Sequence, residues 1–166
     1  MRFRKKPKGE ALESGEIDAG PDERYPRKTA YNKMMDYLAR RSYSEFELRQ
    51  KLLQDYAEDD VDNAIERAKE SGWITPPEEM AEKVAAELGR KRKGHRFINQ
   101  FLKHKGLPPV SENADEELAK ARELLEARLK HDFSEGPLPR ELFDKAQRIL
   151  FNRGFSGETI RRALAR

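Results

Sequence analysis

The apolar residues of this chain come in short stripes at helical spacing. Each stripe is cut off by a capping residue, a glycine or a proline before a long helix can form. Such a chain builds only short helices, and short helices hold together only by packing on one another. Tyr31, Met34, Met35 and Leu38 recur at i, i+3, i+4, i+7, which predicts a first helix from about Thr29 to Arg41. Ser44 with Glu47 three residues on is a capping box, and Leu48, Leu52 and Tyr56 line the buried side of a second helix. Asp59 or Asp60 is expected to cap a third, with Val61, Ala64, Ile65 and Ala68 inward. Gly72 supplies its left-handed stop, and Trp73 folds back on the last turn. The three helices make a unit of about 45 residues, a period typical of helical repeats.

The pattern then recurs. Thr75-Pro76-Pro77-Glu78 reads as cap, proline at the first helical position and acid at the third, before a stripe of Met80, Val84 and Leu88. Gly94 breaks that helix. Another runs from about His95 to Lys105 with Phe97, Ile98, Phe101 and Leu102 inward, and Gly106 stops it. Leu107-Pro108-Pro109-Val110 leaves little room for a third helix in this unit. Asn113 and Glu116 open a further helix bearing Leu118, Ala121, Leu124 and Leu125. Beyond Pro137 and Pro139, Leu142, Phe143, Ala146, Ile149 and Leu150 mark the next, which Gly154 stops. Ser156 caps the last, with Ile160, Ala163 and Leu164. Lys105-Gly106-Leu107 lines up with Arg153-Gly154-Phe155, each trio keeping the roles of base, helix stop and apolar anchor.

Composition fits a thin array better than one thick core. Hydrophobic residues are 36% of the 166 and charged residues 39%, against about 45–50% and 25% in an average domain. We therefore expect an all-α fold: an elongated, curved array of three tandem three-helix repeats at 28–74, 75–112 (truncated and basic) and 113–166. Residues 1–27 carry a basic block, Arg2 to Lys8, then an acidic one, Glu10 to Glu23, without apolar periodicity, and are expected to form a disordered tail. The basic start has no apolar stretch behind it, so it is not read as a signal peptide, and no apolar run is long enough to span a membrane. With no cysteine there are no disulfides, zinc thiolates or thiol nucleophile.

Charge is unevenly placed. Gly89 to Val110 holds Arg90, Lys91, Arg92, Lys93, Arg96, Lys103 and Lys105 and no acidic residue, in a chain of net charge only +3. Opposite the apolar face of the His95 helix lie Arg96, Asn99, Gln100 and Lys103, cations and amides alone. Solvated faces usually mix signs, so a one-signed face points to a polyanion: nucleic-acid phosphate or an acidic protein groove. We single out those seven cations as the binding site, with Arg49, Lys51, Arg148 and Arg153 on matching helices. Phe151 lies off its helix's stripe beside Asn152 and Arg153, as an exposed contact or an inter-repeat anchor. Nothing supports catalysis, a metal or a cofactor. His95, His104 and His131 lack metal-ligand spacing, and the paired carboxylates sit at helix starts, where the macrodipole explains them.

The stretch Tyr37-Leu38-Ala39-Arg40-Arg41-Ser42-Tyr43-Ser44-Glu45-Phe46-Glu47-Leu48-Arg49-Gln50-Lys51-Leu52 resembles the first-repeat signature of the RecX recombination regulators. Arg153-Gly154-Phe155 after Arg148-Ile149-Leu150 is similar to that family's C-terminal segment, and the basic run before Gly94, with Ile98 and Leu102, to its middle repeat. The resemblance implies a cytoplasmic bacterial protein, not an enzyme, that binds the RecA recombinase filament on single-stranded DNA. It would restrain strand exchange, ATP hydrolysis and co-protease action. We expect a monomer that contacts single-stranded DNA directly or through the filament. The other reading of the same residues is a stand-alone DNA-binding protein of helix-turn-helix type, reading a groove with Arg96, Asn99, Gln100 and Lys103.

Overall fold

The computed structural model describes residues 28–132, 136 and 138–165; the expected tail, residues 1–27, lies outside them. Among the described residues all regular structure is helical: α1 (Ala30–Leu38), α2 (Glu45–Leu52), α3 (Glu58–Glu70), α4 (Pro77–Arg90), α5 (His95–His104), α6 (Ala114–Leu129), α7 (Arg140–Arg153) and α8 (Gly157–Leu164). Their buried side chains form three separate cores in chain order, which makes the molecule an array of small helical units. The first core gathers Met34, Leu48, Leu52, Val61 and Ile65 from α1–α3. The second, the smallest, holds Met80, Ala81, Ile98, Leu102 and Leu107 from α4, α5 and the turn after them. Leu124, Leu125, Ala146, Leu150, Phe155 and Leu164 lead the third, from α6–α8.

Local chemistry sets most helix ends. Thr29, Asn113 and Ser156 each accept a backbone N–H of the helix they open. Ser44 and Glu47 close the capping box in both directions. Two starts differ from the sequence expectation. Helix α3 begins at Glu58 behind an uncapped Ala57, so Asp59 and Asp60 lie inside its first turn. Three consecutive acids there already answer the macrodipole, and no side-chain cap is needed. Helix α4 begins at Pro77 with Pro76, not Thr75, at the cap, so Glu78 falls one place earlier than expected. The reason is steric. A residue before proline is driven out of the helical region, and Pro76 is accordingly extended at ψ 140°. Phe97 and Phe101, expected inward, are only half-buried; they stack on each other beside the small second core.

Helices α3, α4, α5 and α7 end alike. The amide two or three residues past the helix end reaches back to close the last turn: Trp73 to Ala68, Lys93 to Leu88, Leu107 to Leu102, Phe155 to Leu150. The motif needs one left-handed residue. Gly72, Gly106 and Gly154 supply it in three cases, and Arg92, at φ 52°, in the fourth.

The units join through these ends. Helix α5 has no side-chain cap and no acid in its first turn. Its N-terminal amides bond instead to the third unit: Gly94 to the Arg153 carbonyl (2.9 Å), Arg96 to the Gly154 carbonyl (3.0 Å), and His95 to the Glu117 carboxylate (3.0 Å). Glycine makes this approach possible. A Cβ on Gly94 would overlap the Phe155 nitrogen and the Gly154 carbonyl, and one on Gly154 would overlap Phe97. The first junction repeats the arrangement one unit earlier. The Ser44 hydroxyl at the start of α2 donates to the Lys105 carbonyl at the end of α5 (2.5 Å), and Phe46 packs on Gly106. Glu47 seals it, accepting from Lys105 Nζ (2.7 Å), Arg41 (3.1 Å) and the Ser44 amide (3.1 Å). Burial pushes the Glu47 carboxyl up, but Lys105, Arg41 and the Ser44 amide outweigh it and hold it at about 2.

Gly94→Ala should destabilise the protein by about 3 kcal/mol, since backbone atoms cannot give way. Gly89→Ala, in a helix with open space around it, should stabilise by up to about 1 kcal/mol; urea denaturation compares the two. The Glu47 carboxyl is lowered on folding, so its contribution is complete above its ordinary value of 4.5 and is lost as pH falls towards about 2. Glu47→Gln should therefore cost about 2 kcal/mol at pH 7 and much less near pH 2, read from unfolding midpoints at both.

Candidate functional site

The basic stretch folds as the end of α4, the turn holding Arg92, and α5. Its cations divide by what they touch. Arg90, Arg96 and Lys103 are exposed, and among the described residues none of them forms an ion pair. Lys93 has no carboxylate partner either; its ammonium lies 4.0 Å above the Phe97 ring. Lys91 pairs with Glu87 one turn back (2.6 Å), which holds that carboxyl below its ordinary range. Arg92 lies 3.7 Å from Glu123 of α6, both well exposed. At that distance in water the pair contributes little. Lys105 stands apart: its charge is taken up by Glu47 at the first junction.

The four outlying candidates fall in different places. Arg49 pairs with Asp62 of α3 and, at 3.9 Å, with Glu45, so it ties the first unit together. Lys51 lies 5.5 Å from the Tyr37 ring, in the same unit. Arg153 donates to the Lys91 carbonyl (3.1 Å) across the second junction. Arg148 is exposed and, with Arg96, lines a groove of about 530 Å³ that also takes in Phe151 and Arg161. The structure thus brings Arg148 to the basic middle and leaves Arg49 and Lys51 in the first unit. Arg161 is the residue the sequence reading missed. Its one signal was its place opposite Ile160 and Leu164 on α8.

The amides are not both free. Asn99 bonds the Val110 backbone at both ends of its side chain, accepting from the amide (3.0 Å) and donating to the carbonyl (3.2 Å). It pins the Pro108–Val110 turn and so cannot also read a base edge. Gln100 is exposed. No group of three acidic, histidine or cysteine side chains suited to a metal occurs among the described residues. None of the described helices is long and apolar enough to cross a membrane.

These features define a tandem array of small helical units, two of three helices and a middle one of two, whose middle unit presents unpaired positive charge. Residues 30–67 match the family model described as RecX, first three-helix domain, and residues 115–164 match RecX, third three-helix domain. Together they take in more than half of the sequence, on either side of the basic stretch, and the chain belongs to the RecX family. It is 37% identical over 84 residues to the regulatory protein RecX of Actinobacillus pleuropneumoniae serotype 5b, covering 48% of this chain and 52% of that protein. To the regulatory protein RecX of Haemophilus ducreyi it is 34% identical over 87 residues, 49% of this chain and 54% of that one. The chain thus spans about half the length of the curated relatives it matches. The crystal structure of RecX from Lactobacillus salivarius superimposes with a TM-score of 0.65 at 23% identity, over 81% of this chain and 91% of that one. This likeness bears on the fold.

Arg92 is a strained residue within the basic turn. A left-handed non-glycine residue costs roughly 1–2 kcal/mol, and the three matching helix ends use glycine. Arg92→Gly should raise stability by about 1 kcal/mol in urea denaturation. The same variant should elute earlier from a heparin column, because a cation is lost.

Proposed function

We propose that this chain is a regulator that binds the RecA recombinase filament and restrains its strand exchange, ATP hydrolysis and co-protease action, working in the cytoplasm. The observation that carries the reading is the set Arg90, Lys93, Arg96 and Lys103, none of which forms a close ion pair among the described residues. They lie on the middle unit of the array, between two units matching RecX domains. Unpaired cations on an exposed face attract a polyanion, and a chain of linked units offers a long surface to a helical groove. Lying along such a groove, the array would bridge neighbouring filament subunits and oppose the motions that ATP turnover needs. Lys91 and Arg92 add charge at the edge of the same surface.

The test is charge reversal. Arg90→Glu, Arg92→Glu and Lys103→Glu combined should leave helicity and melting behaviour near those of the parent, since all three side chains are exposed. Inhibition of DNA-dependent ATP hydrolysis by the filament should be abolished. Full inhibition by the folded triple variant would remove the reading. A stand-alone groove reader of helix-turn-helix type is less favoured, because Asn99 is committed to Val110. The two readings separate on one comparison at a single salt concentration. A filament regulator binds recombinase-coated DNA far more tightly than naked DNA, and a groove reader does not.

A further inference from the structure

Among the described residues Phe151 is the most exposed large apolar side chain, at 65%, although it lies on α7 one residue from the fully buried Leu150. It stands between two grooves of about 530 Å³ each. One carries Arg96, Gln147, Arg148 and Arg161, with Asp144 its one carboxylate. The other is lined by Arg96, Phe97, Asn99, Gln100 and Asn152. Arg96 thus faces both. Arg96 and Arg148 have no ion pair among the described residues, and Arg161 pairs only with Glu158 on its own exposed helix face. An aromatic ring is therefore held in water with guanidinium groups and amides on either side.

We infer that Phe151 is a stacking platform for a base of single-stranded DNA, with Arg96 and Arg148 taking the phosphates on either side and Arg161 at the edge. A base stacked on an exposed ring leaves its own edges in water and needs no apolar pocket, and arginines beside the ring take up the backbone. An apolar anchor from a protein partner needs a closed, water-excluded pocket, and these grooves are open, with arginines and amides set around their apolar floor. The inference rests on the filament reading for the choice of polyanion, but it places the DNA contact at the second junction, away from Arg90 and Lys103.

The test is fluorescence anisotropy of the full chain with a labelled oligo-dT at one stated salt concentration. Phe151→Ala, harmless to the fold because the ring is exposed, should weaken binding about tenfold or more while leaving the salt dependence unchanged. Arg96→Ala and Arg148→Ala should each lower the salt slope by about one. Phe151→Trp in a Trp73→Phe background should restore affinity, and its indole emission should be quenched as DNA is added. Unchanged affinity of Phe151→Ala, or unquenched indole at saturating DNA, overturns the inference. So does a loss confined to recombinase-coated DNA, which would make Phe151 a protein contact. If the Arg90/Arg92/Lys103 reversal leaves inhibition intact while Phe151→Ala loses oligo-dT, the stacking site stands and the filament reading falls.

Discussion

The join between the second and third units depends on one helix, α5, that does not cap itself. The first turn of α5 exposes amides that an isolated helix would satisfy with a serine or aspartate side chain. Here the carbonyls of Arg153 and Gly154, at the far end of α7, take two of them. One unit's helix start is thereby completed by the next unit's helix end, positive pole against negative. A chain with 36% hydrophobic residues cannot join its units through large apolar faces. It joins the second and third units through backbone hydrogen bonds at Gly94 and Gly154, and the first and second through Ser44, Glu47 and the Phe46 ring, which Gly106 lets in.

This junction also permits the charge pattern. A helix that must stabilise its own start does so with Asp or Glu in the first turn, as α3 does with Glu58, Asp59 and Asp60. Helix α5 has no acid there. Its one nearby carboxylate, Glu117, comes from α6 and lies against the His95 amide, itself restrained by Lys120. Because the capping is borrowed, the outward side of α5 carries Arg96 and Lys103 without an internal counter-ion. The fold's economy and the positive surface therefore have one cause.

What could be read from the sequence follows the range of the interactions. Capping at Thr29, Ser44, Asn113 and Ser156 acts within three residues and was legible, as were the glycine stops. Pro76 and Ala57 were misplaced by one to a few positions, because a proline pair and a run of acids shift a helix start without changing its signals. The cation cluster was legible as a cluster. Which cations remain open was not: Glu47 reaches Lys105 and Glu123 reaches Arg92 from other units. Asn99 shows the same limit, since its partner Val110 belongs to a turn that the helical period does not describe. The matching trios Lys105-Gly106-Leu107 and Arg153-Gly154-Phe155 were visible as letters. Their shared work, receiving the start of the preceding unit's middle helix, becomes visible only when Ser44 and Gly94 are seen resting on them.

The cations therefore fall into two physical kinds. Lys105 and Arg153 sit at junctions, one against a partly buried carboxylate and the other against a carbonyl, where short distances and partial burial shield them from added salt. Arg90, Arg96, Lys103 and Arg148 face water, where a Debye length of about 8 Å at physiological ionic strength governs what they attract. Raising the salt concentration weakens the second kind first. On the proposed reading, the array would stay assembled while its hold on a polyanion fades, and a charged partner would be released without the protein coming apart.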